Sequence, residues 1–182
     1  MKKIILILLI AFSFSSCEKD DICDPATVTT PRLVIEFYDN SSATANTKAV
    51  TNLKAVAEGM TEGVVFNTSL PSTDASRYLA NSTKIFLPLY TPGINSETTT
   101  QYYLTNNFNG TSQNTDILTY NYTTNTVFVS RACGYKSLFY LNATNPIVQT
   151  EPTLSDGAWI KNIIIVKSNI EDEYEVHIKI YI

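Results

Sequence analysis

From Pro31 to the C-terminus, apolar and polar residues alternate in short runs broken by turn-forming residues. A period of two belongs to the β-strand, whose successive side chains point to opposite faces. Leu33, Ile35 and Phe37 alternate with Val34, Glu36 and Tyr38, and Asp39-Asn40-Ser41-Ser42 supplies turn chemistry. Val50–Glu58 alternates until Gly59, and residues 63–66 read as a short strand. Lys84–Tyr90 sets Ile85, Leu87 and Leu89 on one face, with Pro88 marking a sheet edge or a bulge. Thr98–Asn106 is predicted as a strand, and Asn107–Asn114 as a turn around Gly110. Asp116–Tyr122 is predicted to fold back through Thr123-Thr124-Asn125 onto Thr126–Arg131, and Tyr135–Leu141 follows as another strand. Residues 67–82 and 142–157 read as loops.

Near the end, Ile163-Ile164-Ile165-Val166 is apolar at consecutive positions, the pattern of a central strand covered on both faces. In the last strand, Val176, Ile178, Ile180 and Ile182 alternate with Glu175, His177, Lys179 and Tyr181. No stretch carries a long apolar face at the helical period, although residues 47–58 come nearest. About eight to ten short strands joined by hairpin-length links predict an all-β chain. The expected architecture is an antiparallel β-sandwich of immunoglobulin or transthyretin type, with a lipocalin-like β-barrel as the alternative.

The first sixteen residues have another character. Lys2 and Lys3 precede an apolar run, Ile4–Phe14, interrupted only by Ser13. As a helix this run spans about 17 Å, against about 30 Å of bilayer hydrocarbon. It fits the apolar region of an export signal, not a membrane span. Ser15-Ser16-Cys17 follows, and the stretch resembles a bacterial lipoprotein signal, with Phe14 standing where Leu is usual. That resemblance implies acylation of Cys17; the alternative is an ordinary secretory signal. Glu18-Lys19-Asp20-Asp21 resembles the charged export signal that Bacteroidota lipoproteins carry after the acylated cysteine. The expected organisation is a signal peptide over 1–16, a tether over 17–31 and one β domain over 32–182. The expected location is the outer membrane, anchored by lipid, at the cell surface or else on the periplasmic face.

Composition narrows the classes. Of 182 residues, 44% are apolar and 16% charged, which excludes a disordered chain. A formal charge of -4 excludes nucleic-acid binding through net positive charge. Loss of Lys2 and Lys3 with the signal leaves 11 basic against 17 acidic side chains, or -6. Such a body is expected to stand off from an anionic membrane.

Three cysteines are present. With Cys17 acylated, Cys23 and Cys133 are left to pair in an oxidising compartment. The alternatives are inert thiols or a catalytic one, and a catalytic thiol needs a base. The single histidine, His177, falls on the polar face of the last strand as an exposed residue. There is no Gly-x-Ser-x-Gly elbow, no short-spaced His/Cys set for zinc, no EF-hand spacing among Glu171, Asp172, Glu173 and Glu175, and no phosphate-binding glycine loop. No catalytic residue, metal or cofactor is therefore indicated.

The candidate binding surface is aromatic. Tyr102, Tyr103, Tyr120, Tyr122 and Tyr135 fall in strands expected to be neighbours, with Arg131 and Lys136 on a rim that turns at Gly134. One parity must fill the core, and the other would display rings suited to sugar stacking or protein contact. Cross-strand pairs that only stabilise the sheet are the competing reading.

The segments EKDDIC, TPRLVIEFYD, VFVSRACGYKSLFY and WIKNIIIVKSNIEDEYEVHIKIY resemble an uncharacterised family of Bacteroidota lipoproteins, a domain-of-unknown-function family. The resemblance implies an exported, lipid-anchored β domain with a paired cysteine at each end of the motif set, and no activity. The expected function is a non-catalytic envelope module, partnered by the membrane through its lipid and by a protein or glycan. A hydrolase of envelope or dietary polysaccharide is the alternative, and an apolar-ligand carrier a weaker one.

Overall fold

A computed structural model describes residues 22–182 apart from 25–26, 28–29, 42–43, 45, 94–95 and 153–155. Cys17 and Glu18, Lys19, Asp20 and Asp21, the expected anchor and export signal, lie outside the described residues.

Among the described residues eleven strands form two sheets packed face to face: β1 (Leu33–Tyr38), β2 (Leu53–Ala57), β3 (Leu79–Ala80), β4 (Lys84–Leu87), β5 (Glu97–Asn106), β6 (Asn114–Ser130), β7 (Gly134–Leu141), β8 (Ile147–Thr150), β9 (Asn162–Ile165), β10 (Asn169–Ile170) and β11 (Ile178–Tyr181). The smaller sheet runs β4-β1-β11-β9 and the larger β10-β7-β6-β5-β2-β3, with β8 also paired to β6. Neither sheet closes on itself, so the chain is a β-sandwich and the alternative of a closed barrel is wrong. Every named pair is antiparallel except β1 with β11, where Ile35 sits opposite Ile178 and Phe37 opposite Ile180. That pair makes the C-terminal strand central to its sheet, between β1 and β9.

The alternation of the sequence becomes the core. Leu33, Ile35 and Phe37 of β1, Ile85 and Leu87 of β4, and Ile178 and Ile180 of β11 face Leu53, Tyr102, Leu104, Leu118, Tyr120, Tyr122 and Phe139 of the larger sheet. Trp159 closes one side, its ring 6.3 Å from Phe37 and its indole N–H donating to the Leu104 carbonyl at 3.0 Å.

Several local expectations fail. Thr123-Thr124-Asn125 does not turn, and β6 runs straight through it. None of the three adopts a left-handed backbone, and Thr124 is buried, its hydroxyl donating to the Gly93 carbonyl at 2.7 Å. The chain reverses instead at Arg131-Ala132-Cys133, where Gly134 takes φ 70°. Ile163–Val166 is not a central strand. β9 is the edge of the smaller sheet, and Ile164 and Val166 are exposed. The loop expected over 142–157 contains β8, and the strand expected over 63–66 is absent.

Candidate functional site

The aromatic strip divides by parity. Tyr102, Tyr120 and Tyr122 are buried instead of displayed as a strip, because their face of β5 and β6 lies under the smaller sheet, and of the three only Tyr102 lines the cleft described below. Their hydroxyls explain why tyrosine stands there. After β4 the chain passes Pro88-Leu89-Tyr90 as an extended strap outside any ladder. Tyr102 donates to the Pro88 carbonyl at 2.6 Å, and Tyr122 donates to the Tyr90 carbonyl at 2.8 Å. Thr100 receives the Tyr90 N–H at 3.1 Å and shares a 2.6 Å bond with the Tyr122 hydroxyl. Buried hydroxyls thus satisfy backbone groups that no strand partner meets, an unmade bond there costing about 1–3 kcal/mol. Burial pushes the Tyr102 phenol up, and raises that of Tyr122 to about 12, so both stay neutral donors.

The strap walls a cleft of about 410 Å³, within the range of small-ligand sites. β2 stops where Ala57 meets Tyr102, and Glu58 adds one more backbone bond to Gln101. Thr98, Thr99 and Thr100 continue β5 with no strand on that side among the described residues. Tyr90 stands at the mouth with 62% of its surface exposed. Leu89 and Met60 give apolar lining, and Glu58, Thr99 and Gln101 give polar groups. Sequence reasoning missed this site. The available signal was the pair Pro88 and Pro92, which bracket a segment unable to sit in a ladder.

The remaining predicted residues lie elsewhere. Tyr103 is partly exposed on the outer face of β5, opposite Val56 and Ile117. Arg131, Tyr135 and Lys136 come together at the β6–β7 hairpin tip, about 36 Å from Tyr103 along β6 at ~3.3 Å per residue. Tyr135 pairs with Phe128, the rings edge to face at 5.3 Å. Cys133, in the turn, is disulfide-bonded to Cys23 across 110 residues. The bridge ties the N-terminal segment to this tip, and Thr30 strengthens the tie by accepting the Ser137 N–H at 3.2 Å.

Two buried titratable groups were also missed. His177 is not exposed: its Nδ1 accepts the Val34 N–H at 2.9 Å, and desolvation lowers its pKa. Its place just before β11 lets the imidazole extend the β1–β11 pairing by one bond at Val34, which alternation alone does not reveal. Asp116 faces the core, where Oδ2 accepts from the Ile160 N–H at 2.8 Å and Gln149 Nε2 at 3.1 Å. Burial, aided by the neighbouring Glu151 carboxyl, raises its pKa to about 6. Asp116 thus holds the crossing at Trp159-Ile160 onto the larger sheet. Among the described residues no three His, Cys, Asp or Glu side chains form a metal-binding group, and no helix is long and apolar enough to cross a membrane.

Residues 53–182 match a family of unknown function, DUF6452. The chain belongs to this family. The matched span begins at β2, so β1 lies outside it although β1 is central to the smaller sheet. No curated protein and no solved structure matches the chain.

Proposed function

We propose that this DUF6452 chain is an exported, lipid-anchored module of the cell envelope that binds a glycan in the cleft beside Tyr90 and does not catalyse. The export reading rests on Lys2-Lys3, the short apolar run, Ser15-Ser16-Cys17 and the charged Glu18–Asp21. In this reading Cys17 carries the lipid and the body faces outward from the outer membrane.

The observation that carries the binding reading is the cleft itself. An exposed phenol ring offers a platform for a sugar face, and Glu58, Gln101 and Thr99 offer partners for its hydroxyls. The tyrosine-held strap fixes Tyr90 before any ligand arrives, which reduces the ordering cost of binding. The polysaccharide hydrolase has less support. Its two carboxyl groups need to stand about 5–9.5 Å apart across a sugar bond, whereas Asp116 is fully buried and is not among the residues that line the cleft. His177 has its Nδ1 engaged by backbone and no exposure from which to serve a nucleophile.

The test is a glycan array probed with the chain from Ile22 onward, which keeps the Cys23–Cys133 bridge. Titration calorimetry then compares wild type with Tyr90→Ala on any glycan found. Binding weakened at least about fivefold in Tyr90→Ala is expected, since an aromatic stacking contact is worth about 1 kcal/mol beyond its buried area. Binding indifferent to Tyr90→Ala would move the site, and hydrolysis of the bound glycan would replace the module with an enzyme. An empty array with Tyr90-dependent capture of a purified envelope protein would make the ligand a polypeptide.

A further inference from the structure

The β6–β7 hairpin is unlike the rest of the sandwich. β5 begins at Glu97, opposite Thr123, while β6 continues to Ser130 with only β7 beside it. This ribbon runs about 23 Å beyond the end of β5 at ~3.3 Å per residue. At its tip Phe128 is 54% and Tyr135 69% exposed. Ile22 is 84% exposed and adjoins Cys23, whose Cα lies 4.8 Å from that of Cys133. Three large apolar side chains therefore stand in solvent around one disulfide, where folding the domain gains nothing from them.

The bridge also fixes where these side chains sit relative to the N-terminus. Six residue steps separate Cys17 from Cys23, and extended chain covers at most ~3.3–3.6 Å per residue, or about 20 Å. A lipid on the Cys17 sulfur thus keeps the tip within about 20 Å of the bilayer, however the intervening residues are arranged. Arg131 is exposed at the same turn, and Lys136 is the next residue after Tyr135.

We propose that this hairpin tip is a membrane foot: Phe128, Tyr135 and Ile22 settle into the headgroup layer of the membrane that holds the Cys17 lipid. The proposal rests on the lipid-anchored reading above. Its driving force is apolar burial at the interface, where aromatic rings with a polar edge are at home. Net attraction of the body is not needed, because the mature chain is acidic and the foot is two aromatic rings and an isoleucine. The tether supplies the rest. An anchored tip meets the membrane at high effective concentration, so a contact too weak to recruit free protein still stays closed. The expectation that the body stands off from the bilayer then holds for its acidic bulk and not for this corner. Binding through the foot would also orient the body, since β6 runs from the foot at Ser130 to its opposite end at Asn114.

The experiment uses the native, membrane-extracted full-length product returned to vesicles of phosphatidylethanolamine and phosphatidylglycerol. A fraction of the acyl chains is brominated near the glycerol end. Phe128→Trp is the reporter and Tyr135→Trp a second one, should the first disturb the turn. Thr111→Trp, exposed in the turn at the far end of β6, is the control, and wild type gives the background of buried Trp159. An interfacial ring lies about 5–10 Å into the headgroup–acyl boundary, within reach of these bromines, so the reporter emission should shift to the blue and fall by about half. Thr111→Trp should be unchanged. The same preparation is examined by mass spectrometry of its N-terminal peptide. An acylated Cys17 with unquenched reporters at both positions would overturn the foot alone. An N-terminus without acyl chains would overturn the anchor, and with it the foot's placement. Equal quenching of the Thr111→Trp control would show a body lying flat and would also overturn the foot.

Discussion

The two halves of β6 have the same alternation and opposite fates. Tyr120 and Tyr122 at mid-strand and Phe128 near its end fall on even positions, the same face by parity. The first two are completely buried, and Phe128 stands in water. At Tyr122 the strand has β5 on one side and β7 on the other, with the smaller sheet above. At Phe128 only β7 remains. Parity decides which way a side chain points, but whether anything covers it depends on where other strands end. A core and a docking surface can therefore share one face of one strand.

The sharpest way to break this contrast is to truncate both rings. Tyr120→Ala should lower the unfolding free energy by about 3–5 kcal/mol, as for a large aromatic removed from a packed core. Phe128→Ala should cost under about 1 kcal/mol, little more than its edge contact with Tyr135. Urea unfolding followed by Trp159 fluorescence measures both. Comparable losses would mean that the ribbon is covered as the core is.

The same contrast marks the limit of what the sequence discloses. β1, β5, β7 and β11 were legible because a two-residue period is a property of the backbone, and the chain needed only one face buried to display it. The disulfide was legible because the expectation that Cys17 is acylated left Cys23 and Cys133 to pair. The cleft was not, since it exists only where β2 stops short of β5 and a strap bracketed by Pro88 and Pro92 fills part of the gap. β9 reads as central from Ile163–Val166, yet nothing in those four residues records that no strand lies beyond it among the described residues. β8 is four residues long, too short to show a period, and is defined by its partner Ile117–Tyr120. His177 and Asp116 look like surface residues until the segments they hold, at Val34 and Ile160, are brought beside them.

A finer cut separates two hydroxyls within the buried half. The Tyr122 hydroxyl bonds to Thr100 and to the Tyr90 carbonyl, whereas that of Tyr120 is buried with no hydrogen-bond partner among the described residues. Tyr122→Phe should cost about 1–2 kcal/mol, because it leaves polar groups of the strap unmatched. It should also weaken ligand binding in the cleft, as the strap that carries Tyr90 loosens. Tyr120→Phe should be neutral or stabilising, since it removes an unsatisfied group. Paired urea titrations decide this, and a larger loss in Tyr120→Phe would refute the assignment of the strap bonds.

A different kind of effect is a slope. Asp116 has its pKa raised from 3.8 to about 6, first by burial and then by Glu151. Between those values the native state holds a proton that the unfolded chain has released. Its contribution to stability is therefore present at low pH and lost as pH rises from about 4 to about 6. His177 acts in the opposite direction. Burial lowers its pKa, so its contribution is complete above about 6.5 and declines as pH falls. The two slopes oppose each other in the wild type, and Asp116→Asn isolates one of them. The asparagine carbonyl can still accept from the Ile160 N–H and Gln149. Relative to this variant, the wild type should lose unfolding free energy as pH rises through the window, as measured by urea midpoints at fixed ionic strength. Parallel curves for the two proteins would mean that Asp116 titrates as an ordinary surface carboxyl, and that its side chain does not hold the Trp159-Ile160 crossing.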